Sequence, residues 1–147
     1  MMPRRPSRIG LVALAFGFAV TLPACGGRGR QPDARGWLRV PPTAPDTIIE
    51  DMYAESSIIR NTECISGAFL RDVIAVAFQP GATQEQRQAA IDMIGGRVIG
   101  GMAYAGGGEY YVRIAGDSTG EAVTKAVELL ETLPQVYVAW VIIVPEG

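Results

Sequence analysis

From Leu70 onward, apolar residues switch between a period of two and helical spacing, and a turn signal marks each switch. Residues 72 to 78 alternate, with Ile74, Val76 and Phe78 on one face and Val73, Ala75 and Ala77 on the other, until Pro80-Gly81 closes the strand. Thr83 followed by Gln86 forms a capping box. Arg87, Ala90, Ile91 and Ile94 then recur at helical spacing up to Gly95-Gly96, a left-handed stop. Two extended runs follow, 97 to 104 and 109 to 114, joined by Ala105 and three glycines, which predicts an antiparallel hairpin. Ser118 with Glu121 predicts a second capping box. It opens a helix whose Val123, Ala126, Val127 and Leu130 form one stripe, ended by Leu133-Pro134. Residues 136 to 144 are a nearly continuous apolar strand.

The order is β-α-β-β-α-β, which predicts an α+β domain of ferredoxin-like type, a four-stranded antiparallel sheet with two helices on one face. Ile74, Ile91, Val112 and Val127 are the expected core. The sheet's second face has no helix to cover it, yet it carries Tyr111, Met102 and several valines and alanines. An uncovered apolar face predicts a partner.

Upstream, the pattern dissolves. Residues 46 to 69 are an extension without a clear period, in which Ile48-Ile49 and Ile58-Ile59 flank a short stretch with some helical character. Residues 25 to 45 are dense in Gly, Pro and Arg and predict a flexible tether. Before them, Arg4, Arg5 and Arg8 lead an apolar run from Ile9 to Val20, and small residues precede Cys25, the layout of a secretory leader over residues 1 to 24. The run is shorter than the roughly 20 apolar residues of a membrane-spanning helix. Leu22-Pro23-Ala24-Cys25 resembles the bacterial lipobox, with Pro23 departing from the usual small residue. That resemblance implies lipidation of Cys25 and anchoring to the cell envelope. Gly26 is not the aspartate that retains lipoproteins at the inner membrane, which points to the outer membrane.

Losing the leader removes three basic residues and leaves ten against 15 acidic ones, a net charge of about −5. With a single lysine, Lys125, and no basic stripe, nucleic acid is not an expected partner. With Cys25 lipidated, Cys64 has no intrachain partner and is expected to be a half-buried small hydrophobe.

The chain has no histidine, which excludes Ser-His and Cys-His nucleophile pairs and imidazole metal sites. Lys125, on the polar face of a capped helix, is more simply a solvated charge than half of a Ser-Lys dyad. Asp117, Glu121, Glu128 and Glu131 take capping or solvent-facing positions. Gly106-Gly107-Gly108 joins two strands and opens no helix, unlike a phosphate-binding glycine motif. Neither an enzyme, a cofactor nor a small-molecule substrate is expected.

Four segments, in order, resemble the N-terminal prodomain of subtilisin-family serine proteases, in particular the fervidolysin-like, peptidase-inhibitor-like type. They are the strand and turn Val73 to Gly81, Gly95 to Gly100 (GGRVIG), Tyr110 to Ile114 (YYVRI) and Leu133 to Ala139 (LPQVYVA). The resemblance covers about half of the chain, within residues 70 to 147. It implies a ferredoxin-like domain that docks its open sheet face on a subtilisin-like serine protease and lays its C-terminal segment through the cleft, as chaperone and inhibitor. The residues this assigns to partner binding are Tyr111, Met102, Val141, Ile142, Ile143 and Val144. Since no protease follows Gly147, the expectation is a membrane-tethered module acting in trans. The acidic run common after the family's last strand is replaced by Trp140-Val141-Ile142, removing carboxylates suited to helix N-termini. This departure favours the alternative, an envelope interaction module, binding peptidoglycan or a protein, with no protease target.

Overall fold

In the computed structural model, which describes residues 39–48, 50–104 and 107–145, the elements run in the order the periods predict, with additions upstream. They are β1 (Thr47–Ile48), a short 3-10 helix (Glu55–Ser57), β2 (Ile58–Arg60), β3 (Ala68–Phe78), α1 (Gln84–Met93), β4 (Arg97–Tyr104), β5 (Gly107–Arg113), α2 (Glu121–Glu131) and β6 (Val136–Ile143). The fold is α+β. Among the described residues every strand pairing is antiparallel, and the sheet has six strands where the sequence predicted four. The two extra strands come from the extension: β1 lies on β4 at Gly100 and Gly101, and β2 on the start of β3.

β3 organises the sheet because it is long enough to serve three neighbours. Its residues 74 to 77 pair with both β5 and β6, so those two strands flank it. Phe69 pairs with Ile59 on one side and Ile143 on the other, which puts β2 beyond the end of β5 on the same edge. Between Phe69 and Ile74 the register to β6 shifts. This bulge flips the alternation: Phe69 and Ile74, five residues apart, enter the same core cluster, while Leu70 and Val73 enter the other. Gly116 must be small there, since a β-carbon on it would sit 2.4 Å from the Arg71 carbonyl oxygen.

Both helices pack on one sheet face. Ala90 and Ile91 of α1 and Val123, Ala126 and Leu130 of α2 meet Ile74, Val76, Phe78, Val98 and Val112, with Val127 at the margin of the cluster. The expected core residues Ile74, Ile91 and Val112 are fully buried. α1 starts at the Thr83–Gln86 capping box, both arms of which are made, and Gly95 beyond its end has φ 62°.

The start of α2 differs from the expected Ser118–Glu121 box. Its N-cap is Gly120, at φ 83° and without a side-chain cap. Asp117 replaces the box, its carboxylate accepting from the backbone N–H groups of Thr119 (2.8 Å), Gly120 (2.7 Å) and Ala122 (2.8 Å). Ser118 is passed over because the cap position needs a left-handed turn under Phe69. A β-carbon on Gly120 would lie 2.7 Å from the Phe69 ring.

The predicted tether is held from residue 40 onward. Val40 is fully buried, its N–H donates to Gln88 Oε1 at 2.6 Å and its carbonyl accepts from Gln84 Nε2 at 2.7 Å. Arg87 donates to the Pro42 carbonyl at 2.7 Å. A Pro-rich segment reads as solvated linker because its backbone satisfies no ladder, but here side chains of α1 supply the partners.

Candidate functional site

The sheet face turned away from the helices is ordered in cross-strand rows. Gly100 of β4, Tyr111 of β5, Ala75 of β3 and Trp140 of β6 form one row, and Met102, Glu109, Ala77 and Val138 form the next. Paired residues share a face, so these side chains emerge together. Small residues at Gly100 and Ala75 leave Tyr111 and Trp140 as the two large groups of their row. Both are half-buried. Met102, one row on, is 47% exposed.

Tyr111 donates its hydroxyl to Glu109 Oε1 at 2.6 Å, along the same strand and face. Burial pushes the phenol above its ordinary pKa, and the acceptor carboxylate of Glu109 adds to the shift. The phenol is a fixed donor on an apolar strip.

The other half of this face is covered, correcting the expectation of a bare surface. Met52, 2% exposed, is packed with Leu70, Val73, Ala75, Ile99 and Ile142, and Ile58 joins them from β2. A charged fastening holds this cover. Glu50 Oε2 accepts from Arg97 Nη2 at 2.9 Å and also pairs with Arg113, which reaches the Asp51 carbonyl at 3.1 Å and stands 3.3 Å from Asp72 Oδ2. This cover was not legible in the sequence, because residues 46 to 60 have no period of their own and take their structure from lying on the sheet.

The six residues assigned to partner binding therefore divide. Tyr111 and Met102 lie in adjacent rows of the strip, Tyr111 at the border where it packs, with Trp140, against the covered cluster. Val141 packs at the margin of the helix-side core, and Val144 at that of the second cluster, its N–H donating to the Ala68 carbonyl at 2.8 Å. Ile142 is 8% exposed and belongs to the core, whereas Ile143 is 54% exposed at the end of β6. The segment expected to thread a cleft is thus part of the sheet, since β3 extends back to Ala68 and gives it a pairing partner. Trp140 and Val138, the missing members of the strip, were legible in the alternation of β6 once its outward face was known. Cys25 lies outside the described residues. Cys64, expected to be half-buried, is exposed.

On the helix side, a cleft of about 360 Å³ is lined by Pro42, Phe78, Arg87, Tyr104 and Tyr110 among others. Two of its polar groups are committed to each other: Arg87 donates to the Tyr110 hydroxyl at 2.7 Å as well as to the Pro42 carbonyl. Lys125 forms an i,i+4 ion pair with Glu121 on exposed α2. Among the described residues no cluster of His, Cys, Asp or Glu is arranged to hold a metal, and no helix is long and apolar enough to cross a membrane. Set against known protein families, characterised proteins and solved structures, the chain matches none of them.

Proposed function

We propose that the chain is a non-catalytic docking module that binds a subtilisin-like serine protease in trans through the strip of Tyr111, Met102, Val138 and Trp140. The observation that carries this is the strip itself: large apolar side chains, half-buried to exposed, on the one sheet face that the helices leave alone. Connectivity supports the same view. Leaving aside β1 and β2, the strands pair in the order β4-β5-β3-β6 with both helices on one side, which is the order a ferredoxin-like βαββαβ domain would have. In this proposal the leader exports the chain, and Cys25 carries the lipid that ties it to the envelope.

The mode of action follows from the fate of the tail. Val141 to Val144 are held by β3, so a cleft-threading segment is not at hand, and docking or assisted folding of the protease is the expected action rather than tight inhibition. An envelope module that binds a protein or peptidoglycan is the second candidate, and the same in-sheet tail favours it. The deciding measurement is calorimetric titration of the full-length chain, in mild detergent, against several secreted subtilisin-type proteases. Micromolar or tighter binding that Tyr111→Ala weakens supports the protease. No binding to any of them at micromolar concentration discards it and leaves the envelope module.

A further inference from the structure

We infer that residues 50 to 60 are a displaceable ligand in cis, and that the half of the sheet face beneath them is a binding site for an extended acidic and apolar peptide segment of a partner. Arg97 and Arg113 face each other across β4 and β5, and Val73 of β3 completes their row, which adjoins the row of Tyr111, Ala75 and Trp140. Two guanidiniums set side by side repel each other until a carboxylate bridges them, so the pair is built to receive one. Glu50 supplies it, accepting from Arg97 Nη2 at 2.9 Å on the same Oε2 that pairs with Arg113. Arg113 also donates to the Asp51 carbonyl at 3.1 Å. Two residues after Glu50, the side chain of Met52 fills the hollow among Leu70, Val73, Ala75, Ile99 and Ile142. The occupant thus states the ligand's chemistry: a carboxylate, a residue read through its backbone carbonyl, then an unbranched apolar side chain.

This ligand is lightly attached. Met52 is the one buried side chain among the described residues of 46 to 60. The strands that hold the segment at its two ends, β1 and β2, are two and three residues long, and both residues of β1 are exposed. A segment with few buried apolar contacts opens locally, without unfolding the sheet it lies on. The sheet keeps its helix-side core when the segment lifts, because Ile74, Val98 and Val112 belong to that core and not to the covered cluster. Lifting the segment bares the arginine pair beside Tyr111 and Trp140, and turns the strip into a face three rows deep with positive charge at one end. The covered site thus shares its face with the docking strip proposed above, and it does not require the partner to be a protease.

Fluorescence anisotropy of a labelled peptide copying residues 46 to 60, titrated with the full-length chain in mild detergent, tests this. In the unaltered chain the segment competes in cis, so the apparent affinity is reduced to the fraction of molecules whose site is open. Glu50→Gln with Met52→Ala in the chain weakens that competitor and leaves Arg97, Arg113 and the hollow in place. The peptide should bind this variant at least about tenfold tighter than the unaltered chain. A peptide carrying Glu50→Gln should bind it about tenfold or more weakly than the unaltered peptide does. Equal affinity for both chains, no binding to either, or indifference to the peptide's carboxylate would overturn the proposal. Should the double variant not fold, hydrogen exchange of the unaltered chain decides. Amides of 58 to 60 should exchange faster than those of 74 to 77, and faster still with excess peptide. Exchange of the two sets together, as in global unfolding, or exchange at 58 to 60 that the peptide leaves unchanged, rejects a displaceable ligand.

Discussion

Arg97 and Arg113 stand directly opposite each other across the β4–β5 pair and share one carboxylate, that of Glu50. Like charges facing across a sheet repel, and Glu50 turns the repulsion into a clamp that fastens the segment between β1 and β2. All three side chains are at most about one-third exposed, so replacing the carboxylate removes the charge that the two facing guanidiniums share, with Asp72 still beside Arg113. Glu50→Gln should cost about 1 to 3 kcal/mol in urea unfolding and open residues 46 to 60 to limited proteolysis. Adding Arg97→Ala should recover part of that loss, because the repulsion goes with it. An unchanged midpoint and digestion pattern would show that the clamp holds nothing.

Which parts were legible in the sequence follows from who determines them. β3, α1, β4, β5, α2 and β6 carry their own periods, and Thr83–Gln86 and Gly95 are local signals that act where they stand. β1 and β2 are two and three residues long and exist because Gly100 and Leu70 offer backbone to pair with. The bulge at Arg71-Asp72 is likewise set by neighbours, and it decides that Phe69 faces the helices. For the candidate strip, alternation was enough to orient Tyr111 away from Val112. It was not enough for Ile142, because a nearly continuous apolar run carries no face label until its partner strand is known.

Ile74 and Ile91 test the helix-side core. Both are fully buried, one from the central strand and one from α1, in the same cluster as Val112. Truncating either to alanine removes buried methyl and methylene groups and leaves a cavity, at a cost of about 2 to 5 kcal/mol. That is a large share of the roughly 5 to 15 kcal/mol of a typical domain. Thermal or denaturant melting reads it directly, and retention of full stability by both variants would mean the sheet is packed the other way round.

Asp117 should make the fold sensitive to acid. The Thr119 backbone N–H foremost, with those of Ala122 and Gly120 and the Thr119 hydroxyl, holds its carboxyl at about 2, below the ordinary 3.8. A depressed carboxylate binds fewer protons folded than unfolded. Its contribution is therefore complete above about pH 4 and is lost as pH falls through about 2. Asp117→Asn should flatten this part of the stability curve and fray the start of α2, since an amide nitrogen cannot accept from Ala122. Identical acid profiles for the two proteins, followed by circular dichroism, would remove Asp117 from the account.

Tyr111 should do the reverse at the alkaline end. Burial first, and the Glu109 carboxylate second, raise its phenol above the ordinary value of 10.0. The folded chain keeps this proton when the unfolded chain has released it, so stability is complete below about pH 10 and declines as pH rises beyond. A difference titration of tyrosinate absorbance between the unaltered chain and Tyr111→Phe isolates the group from Tyr110, whose phenol burial also raises. Glu109→Gln removes the negative charge while leaving burial in place, and should bring ionisation of Tyr111 part of the way back. The same substitution leaves the apolar strip intact. A partner that recognises the strip by its hydrocarbon surface should bind Glu109→Gln nearly as well as the unaltered chain, whereas Tyr111→Ala should weaken it. Equal loss from both variants would mean that the carboxylate, and not the aromatic ring, is what the partner reads.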